Sequence, residues 1–564
     1  MAHAAPRLTI VTPTPPTPNG DLHLGHLAGP FVAADIYTRY LRLRGRRVRL
    51  VCGTDDHQSY VAHRAAQLGV SPEQAAARFG DDIEATLRAA RVELDSFTRP
   101  LSSPSHDALV VEGFERMHAE GRLQPRDRPW LFCAPCGQWL YEVYVSGRCP
   151  HCGAGTAGGG CEACGRPNDC VDLGDPRCRG CGGTPEVRPR RQLVIELPPL
   201  IERMREYVAS AVMSARARAL CEWVLHDAPA ELPVTHPGAW GMPVPLPGWE
   251  DQRLHVYAEE AFGYLALVRD LALRDPELAN DALWQGEGTE VVQFMGFDNV
   301  YFHGILNPAL FYAHGGVQPP RTLVVNEFYH LDGSKFSTSR NHAIWGRELL
   351  AVAAPDLVRF YLAWSAPERE QTNFTLADFG DTVRRELVDG WQSWLRDLGR
   401  RLDAATAGQG PDAAPLTAEQ HAFAGELRAL HAEVTAGCEP ATFSLQRAAR
   451  ALCEVARRAR RFGADQEGWA RVPSRTAERR AALGLELAAA RALAVLATPV
   501  MPDFGARLLA DLDAAAAPAT WDGALDGVRP GARVRLAAAA PWFELPATIT
   551  LPDPIVAAPQ PAPA

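Results

Sequence analysis

The sequence predicts an α/β fold in which a Rossmann-like, doubly wound parallel sheet carries a cysteine-rich insertion and is followed by an all-α helical bundle. Three features predict this fold. The chain opens as strand, turn, helix and strand, the order in which nucleotide-binding sheets begin. Residues 130–190 are rich in Cys and Gly and have few long apolar runs. From residue 378 onward, apolar side chains recur at helical spacing.

The strands of the predicted sheet are short apolar segments. Residues 8–12 predict a buried strand, residues 13–20 a proline-rich turn, and residues 32–43 a helix. A second strand, residues 48–52, runs into the sequence Gly-Thr-Asp-Asp-His. Residues 321–326 predict a later strand of the same sheet.

Helical periodicity dominates the C-terminal third of the chain. Amphipathic patterns predict helices over residues 386–402, 418–437, 444–462 and 475–497. The tail, roughly residues 545–564, is rich in Pro and Ala, a composition typical of disorder.

The charge balance limits the class of partner. The chain of 564 residues has 57 Lys+Arg and 67 Asp+Glu, a formal net charge of −10. An acidic total argues against a protein that coats nucleic acid through charge alone. A local basic patch can still contact an RNA backbone.

Two absences in the sequence favour a cytoplasmic protein. The chain has no apolar run of about 18 residues, so we expect no membrane span. Its N-terminus enters a strand-like run without the charged and apolar regions of a secretory signal. We therefore expect a cytoplasmic location, where thiols stay reduced.

Eight cysteines form four C-x2-C pairs within the insertion. Each pair can place two thiolates on one tight turn, and two such turns complete a tetrahedral zinc site. We therefore expect a zinc-knuckle insertion with two structural Zn²⁺ ions. The spacing alone does not decide which pairs combine, and Cys170 is left over. The pairs are Cys133 and Cys136, Cys149 and Cys152, Cys161 and Cys164, and Cys178 and Cys181.

These features divide the chain into five expected segments. A catalytic domain is split by the insertion, and a helical bundle and an extension follow it. The segments are 1–125 (Rossmann-like, first half), 126–195 (zinc-knuckle insertion), 196–377 (catalytic domain, second half), 378–510 (helical bundle) and 511–564 (C-terminal extension and tail).

The first candidate motif is His-Leu-Gly-His at residues 23–26, after Pro-Asn-Gly at residues 18–20. A helix that starts there offers backbone N–H groups and a dipole to a phosphate. Gly25 lets a base approach the backbone, while His23 and His26 can hold charge that grows on a triphosphate. An isolated H-x-x-H is more often a helix start with two surface histidines.

The second candidate motif is Lys-Phe-Ser-Thr-Ser-Arg at residues 335–340, after Asp-Gly-Ser. A lysine on a polar loop can close over a pyrophosphate leaving group. Taken alone, the motif is weak, since basic Ser-rich loops are common.

Together, in this order and about 310 residues apart, the two motifs resemble the H-I-G-H and K-M-S-K-S signatures of class I aminoacyl-tRNA synthetases. The surrounding sequence is similar to the methionyl-tRNA synthetase family over roughly residues 8–510. The blocks that carry this similarity are residues 12–26, 51–57, 240–245 and 294–303.

The resemblance implies a two-step reaction and a role for each matching residue. ATP, with Mg²⁺, and methionine would give an adenylate and pyrophosphate, and the acyl group would pass to tRNA. The implied catalytic residues are His23, His26 and Lys335. The implied ATP-binding residues are Asn19, Gly20, Gly25, Asp298, Ser337 and Ser339. The implied amino-acid-binding residues are Thr14, Pro15, Thr17, Asp55, Tyr257, Tyr264, Phe302 and His303.

Asp298 would hold the ribose, and Asp55 would pair with the α-ammonium group of the substrate. The resemblance also implies nested zinc sites, with Cys149, Cys152, Cys161 and Cys164 inside and Cys133, Cys136, Cys178 and Cys181 outside.

The chain departs from the family at positions that the resemblance places near ATP and at others that it places in the amino-acid pocket. Thr338 replaces the second lysine of the loop, and Phe297 stands where the family usually has Lys. In the amino-acid pocket, Thr17 replaces Tyr, Tyr257 replaces Trp, and Asn307 replaces Trp. The altered pocket favours a more polar or bulkier amino acid unless neighbouring side chains refill the space.

The helical region resembles the anticodon-binding bundle of the family. Trp469 matches a tryptophan that stacks on an anticodon base, although a core position is the alternative. Arg384 and Arg460 stand where the family usually has asparagines that contact bases. Arginines 457, 458, 460 and 461 form either an RNA-facing stripe or a solvated helix face.

Three functions remain open from the sequence. The main hypothesis is methionine activation and transfer to tRNA. The second is a paralogue that activates another amino acid or acylates a different acceptor. The third is an inactive, zinc-containing RNA-binding protein, against which the intact His23, His26, Asp55 and Lys335 argue.

Overall fold

A computed structural model describes residues 8–278, 284, 288–336, 342–468, 472–513, 519–546 and 548–551 of the chain. The described residues belong to two compact units. Unit 1 comprises Met1–Asp21, Val48–Ala85 and Leu94–Glu327, and unit 2 comprises Leu22–Arg47, Thr86–Glu93 and Phe328–Ala564.

The strands are short, and most of them lie in the first two thirds of the chain. In chain order they are β1 (Leu8–Pro13), β2 (Val48–Gly53), β3 (Ser96–Thr98), β4 (Leu123–Cys133), β5 (Gln138–Leu140), β6 (Val145–Arg148), β7 (Gly155–Thr156), β8 (Gly159–Gly160), β9 (Pro167–Asn168), β10 (Gly174–Cys178), β11 (Glu186–Glu196), β12 (Glu231–Pro233), β13 (Thr235–Pro237), β14 (Gln252–Leu254), β15 (Thr289–Gly296), β16 (Thr322–Asn326), β17 (Tyr329–Leu331), β18 (Ser334–Lys335) and β19 (Thr372–Phe374).

The helices become longer towards the C-terminus. In chain order they are α1 (Leu24–His26), α2 (Val32–Leu43), α3 (Ser59–Leu68), α4 (Pro72–Ala89), α5 (His106–Ala119), α6 (Ile201–Ser210), α7 (Ala215–His226), α8 (Val256–Ala272), α9 (Asn307–His314), α10 (Gly346–Leu350), α11 (Pro355–Trp364), α12 (Leu376–Val383), α13 (Ser393–Thr406), α14 (Ala418–Cys438), α15 (Leu445–Glu467), α16 (Thr476–Ala497) and α17 (Pro502–Asp511). Short π-helical segments span Leu27–Phe31, Phe302–Leu306 and Arg384–Gln392.

Unit 1 contains the predicted parallel sheet, with strand order β16-β15-β1-β2-β3. Each neighbouring pair of these strands is parallel. Leu8, Ile10 and Val11 of the central strand are buried, as expected for a sheet that is covered on both faces. Because β15 and β2 flank β1 on opposite sides, the carboxyl ends of three strands meet at one edge, the usual ligand site of such sheets.

The cysteine-rich insertion of unit 1 is built on a long antiparallel pair, β4 with β11. Its own core is small and contains Trp130, Leu140, Tyr141 and Leu173. Such a core provides little stability, so a module of this size needs covalent or metal cross-links.

Unit 2 contains the predicted helical region. Helix α14 packs against α15, α15 against α16, and α16 against α17. The structure confirms three of the predicted helices closely, as α14, α15 and α16. The fourth, predicted over residues 386–402, is a π-helical segment, Arg384–Gln392, that continues into α13. The 3.6-residue period thus predicts a helix here, but it does not indicate the wider π-helical turn.

None of the helices in the described part of the chain has the length and apolar content that crossing a membrane requires.

A fully buried ion pair joins distant segments within unit 2. Arg359 and Asp35 both have 0% side-chain exposure, and Nη2 of Arg359 lies 2.6 Å from Oδ2 of Asp35. The same guanidinium donates to the carbonyl oxygens of Ala90, Pro499 and Val500. Since every donor group of this arginine has a partner, its charge is tolerated in the core.

Replacing Asp35 should therefore leave a buried, unpaired guanidinium. We expect Asp35→Ala to lower the free energy of unfolding by about 3–5 kcal/mol, as measured by denaturant titration. Asp465→Ala, which removes an exposed pair with Arg461, is the control and should cost less than about 1 kcal/mol. Equal losses in the two variants would contradict the structural role of Asp35.

Candidate active site

In unit 2, the two histidines of the first motif form a reciprocal cap at the start of α1. The backbone N–H of His23 donates to Nδ1 of His26 at 3.2 Å, and the N–H of His26 donates to Nδ1 of His23 at 3.3 Å. Their rings stack with centroids 3.7 Å apart. The caps therefore occupy two of the backbone N–H groups that the sequence predicts for phosphate binding.

The reciprocal cap fixes the protonation of both rings. A neutral imidazole whose Nδ1 accepts a hydrogen bond carries its proton on Nε2. His23 and His26 thus each present an Nε2–H donor on the side of the ring away from the backbone. The pair can donate to an anion without carrying a charge of its own.

Lys335 of the second motif lies in the same part of unit 2. Its charge acts on both imidazoles. Burial first, and Lys335 next, lower the pKa of His26 to about 4. Burial, His26 and Lys335 lower the pKa of His23 well below its usual range. Both rings are therefore neutral at pH 7, and Lys335 is the positive charge of the group.

Phe336 connects the two motifs through its ring. It stacks on His23 with centroids 4.8 Å apart. A Cβ atom on Gly25 would lie 3.0 Å from the His23 ring and 3.2 Å from Phe336. A larger residue at position 25 would therefore crowd this stack. Ser337 and Ser339, and Thr338 between them, lie outside the described residues.

Unit 1 places other predicted residues at the carboxyl edge of the sheet. The turn after β1 spans this edge, because the N–H of Thr14 donates to the carbonyl of Phe294 and the N–H of Asp55 donates to that of Pro16. The same turn contains Pro15, Thr17, Asn19 and Gly20.

Asp298 lies at the same edge, on the turn that follows β15. Asn299 donates to its Oδ1 at 3.3 Å, and a Cβ atom on Gly296 would lie 2.6 Å from that oxygen. Nearby, Phe297 is buried, and the guanidinium of Arg216 lies 3.9 Å from its ring centroid. A cation therefore lies beside a position at which the family usually has lysine.

Four of the predicted amino-acid-binding side chains pair as rings in unit 1. Tyr257 stacks on Phe302 with centroids 3.5 Å apart, and Tyr264 meets His303 edge to face at 5.6 Å. Asn307 is buried, and its Nδ2 lies 3.3 Å from Nδ1 of His303. Polar groups therefore accompany the aromatic rings.

An acid that the sequence motifs do not single out lies among these rings. Oε1 of Glu260 accepts a hydrogen bond from the Tyr264 hydroxyl at 2.8 Å and lies 4.0 Å from Nε2 of His303. Burial raises the pKa of Glu260 to about 8. Burial and then Glu260 raise the pKa of Asp55 well above its usual range. The one available signal was an acidic pair, Glu259 and Glu260, at the start of an apolar helix.

Glu259 supports the start of α8. Its Oε1 lies 2.7 Å from Nδ1 of His57 and 3.2 Å from Nε2 of His106. Although burial acts in the opposite direction, the two histidines lower the pKa of Glu259 to about 2. This acid is therefore charged, and its Oε1 lies beside two imidazoles, whereas Oε2 has no hydrogen-bond partner among the described residues.

The eight paired cysteines form two clusters, and the sulfur atoms of each lie within 4.8 Å of one another. Each cluster could hold a metal ion. Each pair is followed by a glycine with φ between 64° and 75°, the left-handed conformation that closes the turn. The grouping agrees with the nested arrangement that the resemblance implied: Cys133, Cys136, Cys178 and Cys181 in one cluster, and Cys149, Cys152, Cys161 and Cys164 in the other.

The predicted RNA-contacting arginines lie in the helical part of unit 2. Arg384 and Arg460 are both exposed, and Arg460 donates to the carbonyl of Asp389 at 3.1 Å. Arg457 and Arg458 both form ion pairs with Glu454, so this carboxylate partly neutralises their positive charge. Trp469 lies outside the described residues.

Comparisons with known proteins identify the family of the chain. A family model described as tRNA synthetases class I (M) matches residues 9–396. The methionine--tRNA ligase of Thermomicrobium roseum is 31% identical over 492 residues, which cover 86% of this chain and 84% of the relative. That of Pyrobaculum calidifontis is 30% identical over 525 residues, which cover 92% and 91%.

A solved structure of Mycobacterium tuberculosis methionyl-tRNA synthetase in complex with methionyl-adenylate has the same fold. Its TM-score to this chain is 0.78 at 19% identity, over 95% of this chain and 99% of that one. The chain therefore belongs to the class I tRNA synthetase family, in the group (M) that includes these methionine--tRNA ligases.

Proposed function

We propose that this chain is a methionine--tRNA ligase. A carboxylate oxygen of methionine attacks the α-phosphorus of ATP, and the bond to the β-phosphate oxygen breaks. Methionyl-adenylate forms and pyrophosphate leaves. The methionyl group then passes to the 3′ end of a tRNA, and AMP is released. The observation that carries the proposal is the grouping of His23, His26 and Lys335 in one unit.

The residues of unit 2 stabilise the charge of the phosphates. His23 and His26 donate from Nε2 to phosphate oxygens, and their neutrality leaves Lys335 as the sole positive charge of the group. Lys335 is also the only lysine in a chain that has 57 Lys+Arg residues. An ammonium is a compact charge on a flexible side chain, so it can follow a leaving group. A guanidinium is planar, and its donors have fixed directions. Mg²⁺, bound with ATP, neutralises further phosphate charge.

The residues of unit 1 orient the two substrates. Asn19 and Gly20 contact the nucleotide, and Asp298 accepts hydrogen bonds from the ribose hydroxyls. Asp55 loses its proton when it pairs with the α-ammonium group of methionine. The amino-acid side chain lies among Thr14, Pro15, Thr17, Tyr257, Tyr264, Phe302 and His303.

The remaining segments bind metal and RNA. Residues 126–195 form a zinc-knuckle insertion between the catalytic segments 1–125 and 196–377. Within 378–510, Arg384, Arg460 and Trp469 contact the anticodon region of tRNA. Residues 511–564 form the C-terminal extension.

The thiol geometry supports zinc as the metal. A zinc–sulfur bond of about 2.3 Å places tetrahedral thiolates about 3.8 Å apart. The Sγ–Sγ distances are 3.4 and 3.8 Å across the outer cluster and 3.7 and 3.9 Å across the inner one. Four thiolates leave no open coordination position, so both ions are structural. All thirteen cysteines are free of disulfides.

The direct test of the proposed function is amino-acid-dependent ATP–pyrophosphate exchange with a panel of the twenty standard amino acids. We expect methionine to support exchange, and we expect the purified protein to charge tRNA with methionine. Exchange with another amino acid but not with methionine would contradict the proposed substrate. Exchange with no amino acid would contradict the proposed activity.

The role of Lys335 can be tested by removing its charge. Lys335→Ala should slow adenylate formation about 10²–10³-fold, since the ammonium acts on charge that develops in the transition state. Methionine affinity, measured separately by calorimetry, should remain nearly unchanged. Lys335→Arg keeps the charge and should retain more activity than Lys335→Ala. An unchanged rate in Lys335→Ala would disprove the role.

The metal content of the protein tests the knuckle assignment. The full chain should contain about two zinc ions by elemental analysis. Cys161→Ser should lose the inner ion and Cys178→Ser the outer one, so each variant should retain about one. Cys170→Ser is the control and should retain both. A chain without zinc, or loss of both ions in the control, would contradict the assignment.

A further inference from the structure

The start of α8 carries an acid that the proposed reaction does not use. Glu260 is 10% exposed at its side chain. Its neighbours are the hydroxyl of Tyr264 and the imidazole of His303, two side chains assigned above to the amino acid. In the described part of the chain, no Lys or Arg forms an ion pair with Glu260 or Asp55. Two buried acids thus share this region of unit 1 without a cation from the protein.

The His303 side chain provides a second, independent observation. It is fully buried, and its Nε2, which lies on the side of Glu260, has no hydrogen-bond partner among the described residues. Oδ1 of Asn307 also has none. Buried polar atoms normally have partners, so these two unpaired atoms, one of them 4.0 Å from a buried acid, point to a polar ligand.

The contact with Asn307 fixes the tautomer of the His303 imidazole. Nδ2 of Asn307 can only donate, so Nδ1 of His303 accepts and Nε2 carries the proton. An ammonium at this point would pair with Glu260, and a hydroxyl could also accept from Nε2 of His303. A methyl group would leave both side chains unpaired.

Charge balance favours the same class of ligand. An α-ammonium group neutralises one buried acid, which the proposed function assigns to Asp55. Burial raises the pKa of Glu260 to about 8 in the unliganded site, so this second carboxyl favours its protonated form while no cation faces it. A substrate that brings a second cation allows Glu260 to ionise and form a charge-assisted hydrogen bond.

We infer that Glu260 is a specificity-determining residue that lets the amino-acid site accept a side chain ending in a hydrogen-bond donor, above all an ammonium, in preference to an uncharged side chain of the same shape. This inference rests on the proposed amino-acid activation and adds a second substrate class to it. Methionine itself remains a substrate through the aromatic and sulfur contacts of the site.

Three amino acids of nearly equal size provide the test. Methionine, norleucine and ornithine each have four non-hydrogen side-chain atoms in an unbranched chain, and they end in methyl, methyl and ammonium. The measured quantity is the ratio of kcat/KM for ATP–pyrophosphate exchange with ornithine to that with norleucine. We expect this ratio to exceed one in the wild-type chain.

Glu260→Gln should lower the ratio about 10- to 100-fold, because a hydrogen bond to a charged group is lost for ornithine alone. Glu222→Gln, which removes an exposed acid elsewhere in unit 1, is the matched control and should keep the wild-type ratio. Calorimetric titration of the wild-type protein with ornithine and norleucine gives the same comparison without any variant, in case Glu260→Gln does not fold.

The outcomes separate the two proposals. Exchange with methionine but an ornithine-to-norleucine ratio of one or less would overturn the role of Glu260 and leave the proposed function intact. An equal loss with all three amino acids in Glu260→Gln would assign Glu260 to the α-ammonium group and also overturn the inference. Exchange with none of the three would contradict the proposed function itself.

Discussion

The parallel pairing of β1 with both β2 and β15 is the constraint on which the candidate site of unit 1 depends. Since hydrogen bonds fix the register of three strands, the turns that follow them leave the sheet at one edge. Asp55 follows one of these strands and Asp298 another, although 243 positions separate them in the sequence. The turn after β1 is then held between its neighbours by backbone hydrogen bonds. The sheet thus decides which side chains can share a substrate.

Burial decides the charge state of those side chains. In unit 2 it makes both imidazoles neutral, so that the only lysine of the chain supplies the positive charge. In unit 1 it raises the pKa values of Asp55 and Glu260, while two histidines keep Glu259 ionised. Adjacent acids on one helix therefore differ in charge because only one of them faces cationic partners. This difference separates a structural acid from one available to a ligand.

Much of the fold could be predicted because its signals are local. The apolar runs predicted the strands β1 and β2. The 3.6-residue period predicted the helices α14, α15 and α16, with ends within a few residues of those observed. The helix predicted over residues 386–402 includes most of the π-helical segment Arg384–Gln392, but a 3.6-residue period does not indicate its wider turn. The C-x2-C pairs were evident from spacing, but their grouping was not, since spacing contains no information on which turns face each other.

The sequence by itself determined the two signature motifs, the four cysteine pairs and the sequence of secondary structures, since each depends on residues within a few positions of one another. Only the tertiary structure decided the tautomers of His23 and His26, the grouping of the thiols, and the place of Glu260 beside His303. These properties depend on contacts and burial that arise between segments distant in the chain. A pattern of neighbouring residues therefore cannot reveal them.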